Sequence, residues 1–386
     1  MTPIYLDYAA TTPVDPLVLE AMLPFLKDQF GNAASNTHGF GFVAKHAVDQ
    51  ARQQVATLLD ADPRCITFTS GATESINLAL QGVAMANRHK GNHIITCQTE
   101  HKATLDVCAF LEKQGFRVTR LPVDAKGQVD HAELAAALCA DTLLVSMMMV
   151  NNETGVIHDI ARIADIVHEQ GALLHVDAVQ AIGKLPVSVK TLSVDLLSVT
   201  AHKIYGPKGV GALFVRRGRP KVTLQPLVYG GGHEHGLRSG TLATHQIVGL
   251  GKAFELAGQR VAQDAEYLAQ CKQALWQGIH DLPGVKINGD IHQDAPHVLN
   301  VCFEGIDGEA LIMALRELAV SAGSACTSAT IAPSHVLRAM GLSDQQAHSS
   351  LRFSFGRMTT MAEMESAIAL IREHVTRLNV LGDTDF

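Results

Sequence analysis

The sequence carries no block of lysine and arginine, and its formal net charge is −7, so a general nucleic-acid-binding surface is not expected. No uninterrupted apolar run reaches the roughly 18–20 residues needed to cross a bilayer. The N-terminus, Met1-Thr2-Pro3-Ile4-Tyr5, lacks the basic-then-apolar pattern of a signal peptide. The seven cysteines are scattered, odd in number and form no CxxC pair. That argues against a disulfide framework or a zinc site and for reduced thiols in the cytoplasm. Internal repeats and disordered linkers are also missing. What is present is an ordinary globular balance, 47% hydrophobic and 18% charged, in a 386-residue chain long enough to call for two domains.

Short apolar runs alternate with amphipathic segments. Strands are expected at Ile66–Thr69, His93–Cys97, Leu143–Val150, Leu173–Asp177, Asp195–Val199 and Gly211–Val215. Helical patterns cover Phe42–Leu59, Thr73–Ala86, Lys102–Gln114 and Asp159–Gln170, and Asp15-Pro16 opens another that closes near Gly31. Continuous Val/Leu/Met runs suit strands covered on both faces, so the fold class is α/β with a helix-flanked, mainly parallel sheet. After Thr244 the texture changes: a long helical pattern reaches about Leu282, then strands follow at Val285–Asn288, Val298–Phe303 and Leu351–Phe355. Residues 13–260 are expected to form a large domain, and 1–12 with 261–386 a smaller α+β domain.

The chemistry centres on Lys203, in Thr200-Ala201-His202-Lys203, just after an apolar run. Upstream, a second buried run ends in His175-Val176-Asp177. A strand ending in Asp followed by one ending in His-Lys suits pyridoxal phosphate (PLP). The lysine amine would form a Schiff base, and the aspartate would keep the pyridine nitrogen protonated. Thr69-Ser70-Gly71-Ala72-Thr73-Glu74 follows a strand and opens a helix, a ready anion site, although Ser70 as N-cap with Glu74 as part of a near-capping box explains it too. Thr200 and His202 offer further phosphate contacts.

His101, at a strand's carboxyl end, is placed to stack on a cofactor ring and shuttle protons. Asn152, at another strand end, could orient a substrate carboxylate. Gly230-Gly231-Gly232-His233-Glu234-His235 has His-x-His spacing but no third ligand nearby, so a glycine loop shaping a pocket or subunit contact is the preferred reading over zinc. Arg238-Ser239-Gly240-Thr241 suits an anion. Cys326 lies in Ser321-Ala322-Gly323-Ser324-Ala325-Cys326-Thr327-Ser328, where every residue is small. That composition predicts a mobile segment carrying a thiol between partners. Arg352, in an apolar strand, wants a carboxylate, either a substrate's or an ion-pair partner's.

These motifs resemble, nearly end to end, the PLP-dependent cysteine desulfurases of aminotransferase class V, fold type I. The likeness is to the housekeeping branch that supplies sulfur for iron–sulfur clusters and tRNA thiolation. It runs from Tyr5-Leu6-Asp7-Tyr8-Ala9-Ala10-Thr11-Thr12-Pro13 through Thr99-Glu100-His101-Lys102 and Val150-Asn151-Asn152-Glu153. It continues through His202-Lys203-Ile204-Tyr205-Gly206-Pro207-Lys208-Gly209 to Arg238-Ser239-Gly240-Thr241 and the Cys326 segment.

The resemblance implies that Lys203 holds PLP, Asp177 pairs with the pyridine nitrogen, Gln180 bonds the phenolic oxygen and His101 stacks over the ring. Ala72, Thr73, Thr200 and His202 would hold the phosphate, with Thr241 arriving from the second subunit of a homodimer. Asn152 and Arg352 would fix the carboxylate of L-cysteine. Cys326 would accept the sulfur, pass it to a cluster scaffold or thiolation relay, and serve as a transient iron–sulfur ligand. The relatives' scaffold-docking tail has no counterpart after Leu381-Gly382-Asp383-Thr384-Asp385-Phe386. Selenocysteine lyase or aminotransferase chemistry on the same fold, and a non-catalytic sulfur relay, are the alternatives.

Overall fold

The computed structural model describes residues 3–218, 221–322 and 333–382. Seven strands form its larger sheet: β1 (Ile66–Thr69), β2 (His93–Cys97), β3 (Arg117–Leu121), β4 (Thr142–Met148), β5 (Leu173–Asp177), β6 (Leu196–Thr200) and β7 (Gly211–Val215). Their order is β1-β7-β6-β5-β4-β2-β3. Only β7 is reversed, antiparallel to β1 and β6, while the other neighbours are parallel. Every residue of β1, β2, β4, β6 and β7 is buried, which is why those segments read as unbroken apolar runs. The edge strand β3, Arg-Val-Thr-Arg-Leu, is half-exposed. Its two arginines hide it from a search for apolar runs.

Helices cover both faces. In chain order they are α1 (Pro16–Lys27), α2 (Gly39–Leu58), α3 (Ala72–Asn87), α4 (Lys102–Lys113), α5 (Ile160–Glu169), α6 (Thr244–Ile279) and α7 (Met361–Gly382), with shorter ones between. Asp15 caps α1 as its position predicts, its carboxylate accepting the Leu17 N–H, but the helix stops at Lys27 rather than near Gly31. One face of the sheet packs on α2, α5 and α6, the other on α3 and α4.

A second, antiparallel sheet is built from β8 (Val285–Ile287), β9 (Val298–Phe303), β10 (Ser321–Ala322) and β11 (Ser350–Ser354), in the order β10-β11-β9-β8. The N-terminal segment joins it. Ile4–Tyr5 pairs with Leu318–Ala319, and Asp7 bridges to Ser354. The helix α6 links the two cores. Ile247, Leu250 and Phe254 pack with the large sheet, whereas Leu268, Cys271, Leu275 and Ile279 pack with Phe303, Phe353 and Ile371. Phe254 is completely buried, and truncating such a side chain to alanine costs about 3–5 kcal/mol. Among the described residues no helix is long and apolar enough to cross a membrane.

Candidate active site

The parallel strands deliver their carboxyl ends to a cavity of about 500 Å³. Ala72, Thr73, His101, Asn152, Asp177, Gln180, Thr200, His202, Lys203 and Arg352 all line it, with Ala9, Ala10 and Thr11 of the N-terminal segment. Two expected residues are not in this group. Thr241 is exposed and lines no part of the cavity, and Cys326 lies outside the described residues.

Lys203 sits in the turn that follows β6. Its Nζ donates to Ala9 O at 2.5 Å and Ala10 O at 2.6 Å. Asp177 ends β5, is 6% exposed, and accepts the Val179 N–H at 2.9 Å. Burial raises its pKa, and the neighbouring His101 and Lys203 oppose that rise. His101 caps α4, its Nδ1 accepting the Ala103 N–H at 3.1 Å. A ring whose Nδ1 is an acceptor carries its hydrogen on Nε2. Burial lowers the His101 pKa, so that neutral form prevails at neutral pH. The capping role and the cavity-lining role belong to one side chain.

At the opposite end α3 begins. Its N-cap is Gly71, φ +150°, and no side chain caps it. The expected Ser70 cap does not form. Instead the Glu74 carboxylate accepts the Ser70 N–H at 2.7 Å and pairs with Arg238 at 2.8 Å. The anion that Arg238 meets in the folded chain is the Glu74 carboxylate. The uncapped start of α3 faces the cavity and suits a phosphate.

The close approach of backbones here needs glycine at 211, where a Cβ would lie 2.5 Å from Val199 O and 2.7 Å from Gly71 Cα. The Thr200 hydroxyl donates to Val210 O at 3.1 Å, and His202 Nδ1 lies 3.2 Å from Thr11 Oγ1. Burial, then Lys203 and its neighbours, lower the His202 pKa to about 4, leaving a neutral donor. Lys208 also lines this end and was not foreseen; the Gly-Pro-Lys-Gly turn after Lys203 was its signal.

Another edge of the cavity is formed by Arg352 on β11. Its Nη2 pairs with Asp7 Oδ1 at 2.7 Å and its Nη1 donates to Asn152 O at 2.8 Å, while Nε is buried without a partner among the described residues. The ion-pair reading is therefore realised, in a residue that also lines the cavity. Beside it, buried Glu153 accepts from Ser334 Oγ, and burial raises its pKa to about 7. The glycine loop is tied down by Glu234, which takes hydrogen bonds from Arg52 and from the Phe68 N–H. Among the described residues no group of three or more His, Cys, Asp or Glu could hold a metal ion.

The aminotransferase class-V family model matches residues 4–366. The chain belongs to this family. Cysteine desulfurase IscS of Aeromonas salmonicida (strain A449) is 57% identical over 382 residues, 98% of this chain and 94% of that protein. A solved NifS-like protein superimposes with a TM-score of 0.91 at 38% identity, covering 98% of this chain and 100% of that one. SspA in complex with cysteine does so with a TM-score of 0.82 at 39% identity, over 92% and 99%. Class-V enzymes of this kind depend on pyridoxal phosphate, and so does this chain. The cavity fits that group: an amine, a buried carboxylate, a neutral imidazole and an uncapped helix start converge on it.

Proposed function

We propose that the chain is a cysteine desulfurase that converts free L-cysteine to L-alanine and takes up the sulfur as a persulfide on Cys326. The observation that carries this reading is the convergence of Lys203, Asp177 and His101 on one cavity whose far end presents Arg352.

Lys203 is the residue to hold the cofactor. Asp177 would serve its pyridine nitrogen, Gln180 its phenolic oxygen and His101 the face of its ring. The start of α3 at Ala72 and Thr73, with Thr200, His202 and the partner subunit's Thr241, would hold its phosphate. When bound, pyridoxal phosphate supplies the electron sink that makes the cysteine Cα–H acidic. Arg352 and Asn152 hold the cysteine carboxylate. Lys203 Nζ takes the Cα proton, and His101 Nε2 relays protons. The Cys326 thiolate attacks the substrate sulfur: the S–S bond forms as the C–S bond breaks, the electron pair stays with the carbon fragment, and a proton added at Cβ with the return of one at Cα completes alanine.

The chain acts in the cytoplasm as a homodimer. Exposed Leu17, Leu19, Leu23 and Leu26 on α1, with Phe30, Phe40 and Phe42, supply an apolar face of the kind subunits bury. Residues 13–260 form the large domain, and 1–12 with 261–386 the small one, which the two separate apolar cores support. A cluster scaffold or thiolation relay receives the sulfur, and Cys326 serves as a transient cluster ligand during that transfer.

Borohydride reduction of the purified protein followed by peptide mapping tests the assignment, together with a cysteine-to-alanine assay. Label at Lys203, an absorption band near about 400 nm and alanine formation are expected. Cys326→Ser should keep the band and form no persulfide. Label elsewhere, or wild-type desulfuration by Cys326→Ser, overturns the reading.

A further inference from the structure

We propose that His297 is a positioning residue for the reaction: by donating to the Gln180 amide oxygen it holds that side chain where its N–H faces the cofactor. The inference rests on the reading above that Gln180 meets the cofactor's phenolic oxygen.

The geometry leaves one arrangement. Gln180 is 4% exposed and lines the cavity. One end of its amide lies 2.9 Å from Ala9 O, the carbonyl that also accepts Lys203 Nζ. A carbonyl oxygen only accepts, so the end facing it must be the amide nitrogen. The amide oxygen then faces His297 Nε2, at 3.1 Å, and that nitrogen must carry a hydrogen. His297 is 1% exposed, and its Nδ1 is buried with no hydrogen-bond partner among the described residues. A hydrogen on Nδ1 would be a buried donor without an acceptor, so the ring is neutral with its one hydrogen on Nε2.

The surroundings agree. Burial, then Lys184, Lys272, Arg352 and Lys203, hold the His297 pKa well below the ordinary histidine value. His297 does not itself line the cavity. It is delivered by the lead-in to β9, where its own carbonyl accepts the Phe355 N–H at 2.9 Å.

The consequence concerns the second Gln180 amide hydrogen. Ala9 takes one, and the other is available to an acceptor in the cavity. Without the His297 donor the amide oxygen is buried and unsatisfied. Turning the amide over would set its oxygen against Ala9 O, so the side chain gains instead by swinging away to satisfy that oxygen elsewhere, which withdraws the N–H from the phenolic oxygen. His297 prevents that departure while touching no reacting atom.

The test follows the visible band of the bound cofactor across pH in the holoenzyme. A donor on the phenolic oxygen stabilises its negative charge most when no neighbouring proton shares that charge, so losing the donor raises the midpoint of the spectral change. Gln180→Leu and His297→Phe should each raise it by about one pH unit. The double variant should move no further than either single one, and His297→Gln, whose amide nitrogen can again donate, should return toward wild type. Should His297→Phe not fold, His297→Met, likewise without a donor, takes its place.

A wild-type midpoint in the donor-less His297 variant while Gln180→Leu is shifted overturns the inference. Additive shifts, the signature of a merely structural role, overturn it too. An unshifted Gln180→Leu removes the cofactor assignment of Gln180, and the inference falls with it.

Discussion

Arg352 donates to Asp7 at 2.7 Å, so the guanidinium that lines the cavity is already partnered by the chain's own N-terminal segment. A substrate carboxylate bound there competes with an internal one. Arg352→Ala is expected to raise KM for cysteine about 10- to 100-fold, the worth of a charge-assisted hydrogen bond, with a smaller change in kcat. Asp7→Asn removes the competitor and should lower KM a few-fold while reducing thermal stability. Steady-state kinetics with a melting curve for each variant check this. An Arg352→Ala enzyme with unchanged KM rules out the carboxylate role.

His101 should behave as a neutral proton relay at physiological pH. Burial holds its pKa below 6.5, so the acid limb of kcat/KM that belongs to it lies below pH 6.5. His101→Gln should retain the cofactor, lose about 10²- to 10⁴-fold in kcat and lack that limb. An acid limb unaltered in the variant assigns it to another group.

Glu153 gives a stability prediction with a defined sign. Its pKa is raised from 4.5 to about 7 in the folded chain, so the folded state binds the proton more tightly. The stability it contributes is complete below pH 4.5 and is lost as pH rises through 7, at up to about 1.4 kcal/mol per pH unit. Glu153→Gln cannot titrate. Its melting temperature should gain on wild type from pH 4.5 to 7 and hold a constant lead above that. Parallel melting curves across this range contradict the assignment.

Gly211→Ala tests the phosphate end. The added methyl group meets backbone on two sides, Val199 O and Gly71 Cα, neither of which can swing away as a flexible side chain would. Overpacking of this kind costs about 1–3 kcal/mol, and here it displaces the start of α3. Weaker retention of pyridoxal phosphate on dialysis is expected. A variant that keeps the cofactor as wild type does argues that the phosphate sits elsewhere.

The apolar face around α1 predicts that Leu23→Asp and Phe40→Asp, at side chains 50% and 55% exposed in the single chain, convert the protein from dimer to monomer in sedimentation velocity. Dimers that persist in both variants move the interface off this face.

The parts of the site legible in the sequence were those written in side-chain type at strand ends. Lys203 and Asp177 follow buried apolar runs, and burial of a charged group after such a run has few structural explanations. The strands were visible for the same reason, whereas β3 and the helix His131–Ala137 were not, being short and half-exposed. Contacts made by backbone atoms left no trace. Nothing in an alanine announces that the Ala9 carbonyl receives both Lys203 and Gln180. Long-range pairings were equally silent. Glu74 and Arg238 are 164 positions apart, and α3 starts from Gly71 without the Ser70 cap its sequence suggests. The Gln180–His297 contact spans 117 positions.

The pairing of the N-terminal segment with β11 has a bearing on biosynthesis. Leu6, Tyr8 and Ala9 all hydrogen-bond Ser354, and Ala9 in turn holds the Lys203 amine. The segment Leu6 to Ala9 must therefore wait, with its place in the pocket unfinished, until residue 354, some 345 positions later, has emerged. Such distant closure is slow. The pocket therefore reaches its full form only once Ser354 has met the N-terminal segment.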